Sequence, residues 1–145
     1  VCADLSQNLY RFAQKYIQYK SFNVGFATAT ETAKSREGDC TEHAVFLAAL
    51  GRVHGIPTRV ANGLVFMERF GNQKNVMGFH MWTEFHLNGK WHSLDSALGK
   101  MGAHADRITL SVSSLQQDSL LDIGIKLSEI IGNINVQVEK VSLRK

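Results

Sequence analysis

Cysteine is scarce in this chain of 145 residues: Cys2 and Cys40 are the only two. A structural zinc site closed by protein ligands draws on paired thiolates at short spacing, and Cys2 stands at the chain start without a spaced partner, so no metal is expected. The two thiols are expected to be free, since a disulfide would consume Cys40. Long apolar runs are missing as well, which excludes membrane insertion by this domain, and no signal-like segment opens the sequence. An excess of charge of one sign is absent too. Lys and Arg number 16 against 13 Asp and Glu, a net charge of +3, with the basic residues scattered among acids apart from the last few. Nucleic acid is therefore not an expected partner. There is neither an internal repeat nor a low-complexity tract.

What is present is a hydrophobic content of 44%. In a chain of this size that is enough for one domain, residues 1–145, with a core that needs neither metal nor disulfide and calls for no cofactor. The sequence opens on Val1 rather than Met, so the domain is expected to be excised from a longer chain, with further domains beyond it.

Cys40 lies in Arg36-Glu37-Gly38-Asp39-Cys40-Thr41-Glu42-His43, a polar turn that runs into Ala44-Val45-Phe46-Leu47-Ala48-Ala49-Leu50. Asp39 is placed to cap a new helix and Glu42, three residues on, to complete a capping box. Cys40 then falls in the first helical turn, where free backbone N–H groups and the positive end of the helix dipole favour a thiolate. A buried structural cysteine is the alternative. The helix has almost no polar face and is expected to be surrounded by protein. His54-Gly55-Ile56-Pro57, holding the only proline, stops it.

Gly78 to Leu87, then Asn88-Gly89, then Lys90 to Asp95 reads as a β-hairpin, because Asn-Gly favours a two-residue turn. That turn sets Leu87 against Lys90, Trp82 against Asp95 and His80 against Ala97. Alternation places His80, Trp82, Glu84, His86, Trp91, Ser93 and Asp95 on one face, so Asp95 is a diagonal neighbour of His80. A longer loop would put the two on opposite faces. A carboxylate beside an imidazole fixes its tautomer and stabilises the imidazolium, which in turn activates a nearby thiol. Cys40-x-x-His43, with His80, His86 and His92, has ligand-like spacing, but a histidine on an apolar helix is expected to pack or hydrogen-bond.

Elsewhere the pattern is α+β. Leu5, Leu9, Phe12, Ala13, Tyr16 and Ile17 give an amphipathic first helix, and Thr30 to Lys34 a short second one. Thr58 to Met67 reads as a strand, Glu68 to Asn75 as an exposed loop, and Ser96 to Asp106 as a loop. Asp118 to Ile131 reads as a helix, and Ile134, Val136 and Val138 alternate as a last strand.

Four blocks in order, Gly38 to Ala44, Gly55 to Val60, Gly78 to Glu84 and Gly89 to Asp95, resemble the core of the transglutaminase-like superfamily. The resemblance implies a papain-like fold, with a central buried helix that carries the Cys and packs on an antiparallel β-sheet. It implies Cys40 as nucleophile, His80 as general base and acid, and Asp95 as the orienting residue. A protein or peptide substrate and a thioester intermediate follow, with hydrolysis of a peptide or amide bond as the expected outcome. Acyl transfer from glutamine to an amine, or a non-catalytic peptide-binding module, are the alternatives. The backbone N–H of Cys40 is the expected first oxyanion donor, Asn23 a candidate second donor, and Trp82 a candidate wall of the cleft. Bacterial members of this kind imply a periplasmic or other extracytoplasmic location.

Overall fold

The computed structural model describes residues 2–20, 26–102, 104–116, 120–130, 133–137 and 139–140. Helix α1 (Cys2–Tyr16) opens the chain, followed by α2 (Ala29–Ser35) and α3 (Cys40–Val53). Strands β1 (Thr58–Phe70), β2 (Gln73–Leu87), β3 (Lys90–Asp95), β4 (Lys100–Met101) and β5 (Arg107–Ser113) come next, and helix α4 (Leu120–Ile130) closes the described elements. The strands form one antiparallel sheet in the order β4-β3-β2-β1-β5. The architecture is α+β, as the sequence pattern indicates. Among the described residues, no helix is long and apolar enough to cross a membrane.

Helix α3 lies between α1 and the sheet, which explains its lack of a polar face. Leu9, Tyr10, Ala13 and Ile17 meet Phe46 and Leu47 of α3, and the same cluster takes in Phe85 of β2 and Leu94 of β3. A second cluster joins Ala44 and Ala48 to Val60, Met81 and Ile123, with Cys40 against it. Burial of these side chains contributes about 1.5–3 kcal/mol for each large one. Two threonines of the sheet bind helix carbonyls in this dry interface: Thr83 Oγ1 donates to Ala44 O at 2.8 Å and Thr58 Oγ1 to Ala48 O at 3.0 Å. Gly51 lets the helix come close, since a Cβ there would stand 2.5 Å from Thr58 Cγ2 and 2.8 Å from the Phe85 ring. The helix stops where expected, with His54 as cap and Gly55 at φ 74°.

The β2–β3 hairpin has the register set by a two-residue Asn88-Gly89 turn. Leu87 pairs with Lys90, Glu84 with Ser93 and Thr83 with Leu94, and both turn residues have positive φ, 51° and 76°. Three expectations for other segments need correction. Glu68 to Asn75 is not a loop: beyond Met67↔Val76 the pairing of β1 and β2 skips Glu68 and Asn75 and resumes at Arg69↔Lys74 and Phe70↔Gln73, turning at Gly71 with φ 57°. This end of the hairpin is exposed, so backbone hydrogen bonds hold it and no apolar alternation marks it. Ser96 to Asp106 contains the short strand β4, which pairs Leu94↔Met101 and Asp95↔Lys100. The last strand is absent among the described residues: 133–137 and 139–140 are irregular and exposed, with no neighbouring strand to receive their alternation, and Val138 lies outside the description.

The sheet is strongly curled. The ladder between β1 and β5 shifts register at Asn62/Gly63, and a Cβ at Gly63 would lie 2.0 Å from Ile108 O. Such a bulge increases local twist and bend. β4 and the start of β5, at opposite edges in strand order, come together: Lys100 Nζ pairs with Asp106 Oδ2, just before β5.

Candidate active site

Cys40 is the first residue of α3, and the turn before it is tightly held. The Asp39 side chain accepts from Thr41 N–H at 2.9 Å, and Glu42 Oε2 accepts from Asp39 N–H at 3.0 Å, forming the capping box. Glu42 also has a role the sequence did not signal. Its Oε1 accepts from Ala27 N–H at 2.9 Å, strapping the upstream chain to the start of α3. The carboxyl is fully buried, and burial pushes its pKa up against the backbone bonds from Asp39 and Ala27 that lower it. Gly38 makes room for it, because a Cβ at Gly38 would sit 2.2 Å from Glu42 Cβ. Cys40 itself is half-buried and free.

The hairpin register brings His80 to Asp95. His80 Nε2 lies 2.8 Å from Asp95 Oδ2, with side-chain exposures of 8% and 1%. The Cys40 side chain lies near enough to His80 to act on its titration. With Nε2 directed to Asp95, Nδ1 is the ring nitrogen left for the thiol. Burial disfavours the imidazolium, but the hydrogen bond to Asp95 and the neighbouring Asp95 and Cys40 side chains outweigh it and push the His80 pKa up to about 9. Asp95 moves the other way. Burial would raise it, but the bond and charge of His80, the Leu98 N–H donating to Oδ1 at 3.0 Å and the charge of Arg107 hold it low. The structure thus brings His80 and Asp95 into contact and places Cys40 beside His80.

Arg107 is a participant the sequence reading missed. Its Nη1 donates to Asp95 Oδ2 at 3.2 Å and its Nε to Asp106 Oδ1 at 3.2 Å, with 6% of the side chain exposed. The guanidinium lies 5.0 Å from the Trp82 ring centroid. The only sequence signal was the alternation of Ile108, Leu110 and Val112, which marks a strand but not its partner. His43, one turn along α3 from Cys40, is packed and hydrogen-bonded rather than ligating: Nδ1 lies 3.1 Å from Ser96 Oγ. Burial, and then the charge of Lys20, push its pKa down to about 4, so the ring is neutral near pH 7.

Trp82 does not wall an open cleft. It is 1% exposed, with its ring stacked beside His80 at 6.3 Å between centroids, so it backs the imidazole and leaves no surface for substrate. Alternation on the strand turned it into the curled interior, under Arg107. Asn23 lies outside the described residues. Glu84, on the same strand, is engaged elsewhere, accepting from Arg59 Nε at 2.6 Å. Among the described residues no group of three or more His, Cys, Asp or Glu side chains could hold a metal ion. A groove of about 450 Å³ lined by Arg11, Phe12, Lys15, Tyr16 and Arg36, among others, includes none of the three residues above.

A thiol at the tip of a buried helix, packed on an antiparallel sheet that supplies an imidazole and a carboxylate, defines a papain-like α+β protein. The sequence model of the transglutaminase-like superfamily matches residues 3–96, and the chain belongs to that superfamily. Two solved structures share the fold. One is a candidate cysteine protease from Cytophaga hutchinsonii, with a TM-score of 0.64 and 20% identity, covering 81% of this chain and 37% of that one. The other is calcium-bound LapG of Legionella pneumophila, with a TM-score of 0.62 and 14% identity, covering 78% of this chain and 65% of that one. The chain thus spans less than two thirds of either protein's length. No curated protein matches the sequence.

Proposed function

We propose that this domain carries out thiol-dependent amide chemistry and that its reaction is hydrolysis of a peptide or amide bond. The observation that carries the reading is the His80–Asp95 pair at 2.8 Å, set beside Cys40 at the tip of α3. Membership of the transglutaminase-like superfamily and the fold shared with a candidate cysteine protease support it.

In this reading the His80 imidazolium faces Cys40, whose sulfur is the nucleophile. The sulfur attacks the amide carbonyl carbon, a C–S bond forms and the carbonyl electron pair moves to oxygen. The Cys40 backbone N–H, free at the start of the helix, donates to that oxyanion, with Asn23 proposed as the second donor. His80 passes its Nδ1 proton to the departing nitrogen, the C–N bond breaks and a thioester remains. Water then attacks with His80 as base, releasing the acid and restoring the pair. Asp95 touches no reacting atom. It holds the ring so that Nδ1 faces the thiol and favours its protonated form.

The test is incubation with glutamine-bearing peptides and a labelled primary amine, with the Cys40→Ala variant as control and mass spectrometry as readout. Hydrolysis predicts cleaved peptide or released ammonia without label. Label on glutamine would replace hydrolysis by acyl transfer, and retention of intact peptide without product would make the domain a binding module.

A further inference from the structure

We propose that Arg107 is a positioning residue for the reaction, acting through Asp95 by fixing the carboxylate oxygen that holds His80. The inference rests on the reading of Cys40, His80 and Asp95 given above.

The first support is distance. In strand order β5 is separated from β3 by β2 and β1, three spacings of about 4.8 Å or roughly 14 Å on a flat sheet. Arg107 nonetheless reaches Asp95, because the sheet curls at the Asn62/Gly63 bulge and the side chain crosses the face of Trp82. An exposed arginine at a sheet edge would need no such route. Burying the guanidinium is costly, and it is retained here where two carboxylates and an aromatic face converge.

The second support is the choice of oxygen. Arg107 Nη1 and His80 Nε2 both bind Oδ2 of Asp95, whereas Leu98 N–H binds Oδ1. Three donors fix the plane of the carboxylate and thereby the plane of the imidazole. Arg107 is itself held by Asp106 on Nε, and Asp106 by Lys100. The planar fork suits this arrangement. A lysine could supply the charge but could not bridge Asp95 and Asp106 while lying over Trp82.

The third support is electrostatic. The titratable groups near Asp95 include Tyr10 from α1, His43 from α3, His80 from β2, Arg107 from β5 and the register partner of Asp95, Lys100 from β4, whose ammonium is engaged by Asp106. Burial and the Asp95 charge push the Tyr10 pKa up, so this phenol is neutral near pH 7, as is His43. Among the described residues, Arg107 is the permanent cation hydrogen-bonded to Asp95, and keeps it ionised under conditions in which His80 exchanges its proton.

The experiment is the pH profile of Cys40 alkylation by iodoacetamide in wild type, R107Q, R107K, D95N and the D95N/R107Q double variant, with circular dichroism and Tm recorded for each. An opposite charge this close lowers a carboxylate by about 1–3 units. The acidic limb of R107Q should therefore move up by on the order of 1 unit, with R107K between it and wild type and no further shift from R107Q on D95N. A folded R107Q that loses Tm but keeps the wild-type limb would overturn the inference and make Arg107 a structural tie. So would an equal shift on the D95N background. If R107Q does not fold, R107K carries the test, and an unmoved limb there overturns it. An ordinary thiol profile in wild type is a different failure, that of the proposed function itself.

Discussion

His80 Nε2 and Asp95 Oδ2 stand 2.8 Å apart, although 15 residues separate them in sequence. The Asn88-Gly89 turn makes them neighbours by fixing the register of β2 on β3. Cys40, at the capped start of α3, a different part of the fold, lies beside the same imidazole.

The turn should therefore control reactivity at a distance. Inserting one glycine between Asn88 and Gly89 shifts the pairing by a residue and turns either His80 or Asp95 away. Cys40 alkylation near pH 7 should fall to the rate of a free thiol while the helical signal in circular dichroism is kept. An unchanged rate would show that the pair does not depend on this register.

Asp95 and His80 should differ in degree. Asp95→Ala removes the group that orients and charges the ring, and should lower the alkylation rate near pH 7 about tenfold, the equivalent of one pKa unit. His80→Ala removes the ring itself and should lower it further. Equal rates in Asp95→Ala and wild type would take Asp95 out of the site.

The cap on α3 is testable as a stability element. Asp39→Ala loses the bond to Thr41 N–H and should cost about 1 kcal/mol, measured by urea unfolding. Gly38→Ala should cost more, because the new Cβ meets Glu42 Cβ at 2.2 Å and the Glu42 strap to Ala27 has to shift. A Gly38→Ala variant as stable as wild type would contradict the close approach.

His43 makes stability depend on pH in a defined window. Its folded pKa, about 4, lies below the unfolded value of 6.5, so the unfolded state takes up the proton first. Its contribution favours folding fully above pH 6.5 and is lost progressively as pH falls towards 4. His80 acts in the opposite direction: its contribution is complete below 6.5 and is lost as pH rises through about 9. Glu42, whose pKa is raised by burial, is common to both proteins compared. His43→Gln can still bond Ser96 and should flatten the loss of Tm between pH 6.5 and 4 relative to wild type. Parallel curves for the two proteins would contradict a buried neutral His43.

Local features were readable from the sequence because local chemistry fixes them. Asp39 and Glu42 are three residues apart and form a capping box within a single turn; Asn88-Gly89 sets a turn type and hence a register. The exposed end of the β1–β2 hairpin was not readable, because the backbone pairing of Arg69 with Lys74 and Phe70 with Gln73 leaves no mark on side-chain pattern. Arg107 was missed for a different reason. Its significance comes from the curl at Asn62/Gly63, a long-range outcome of sheet closure that neither alternation nor spacing encodes. Trp82 was placed on the correct strand, but its burial follows from that same curl.

The central claim is that His80, held by Asp95, keeps Cys40 reactive. The most direct measurement is the rate of Cys40 alkylation by iodoacetamide as a function of pH, followed site by site in wild type and His80→Ala. The account predicts fast modification well below the ordinary thiol pKa of ~8.5 in wild type, lost in His80→Ala. Slow modification that rises only around ~8.5 in both proteins would contradict it.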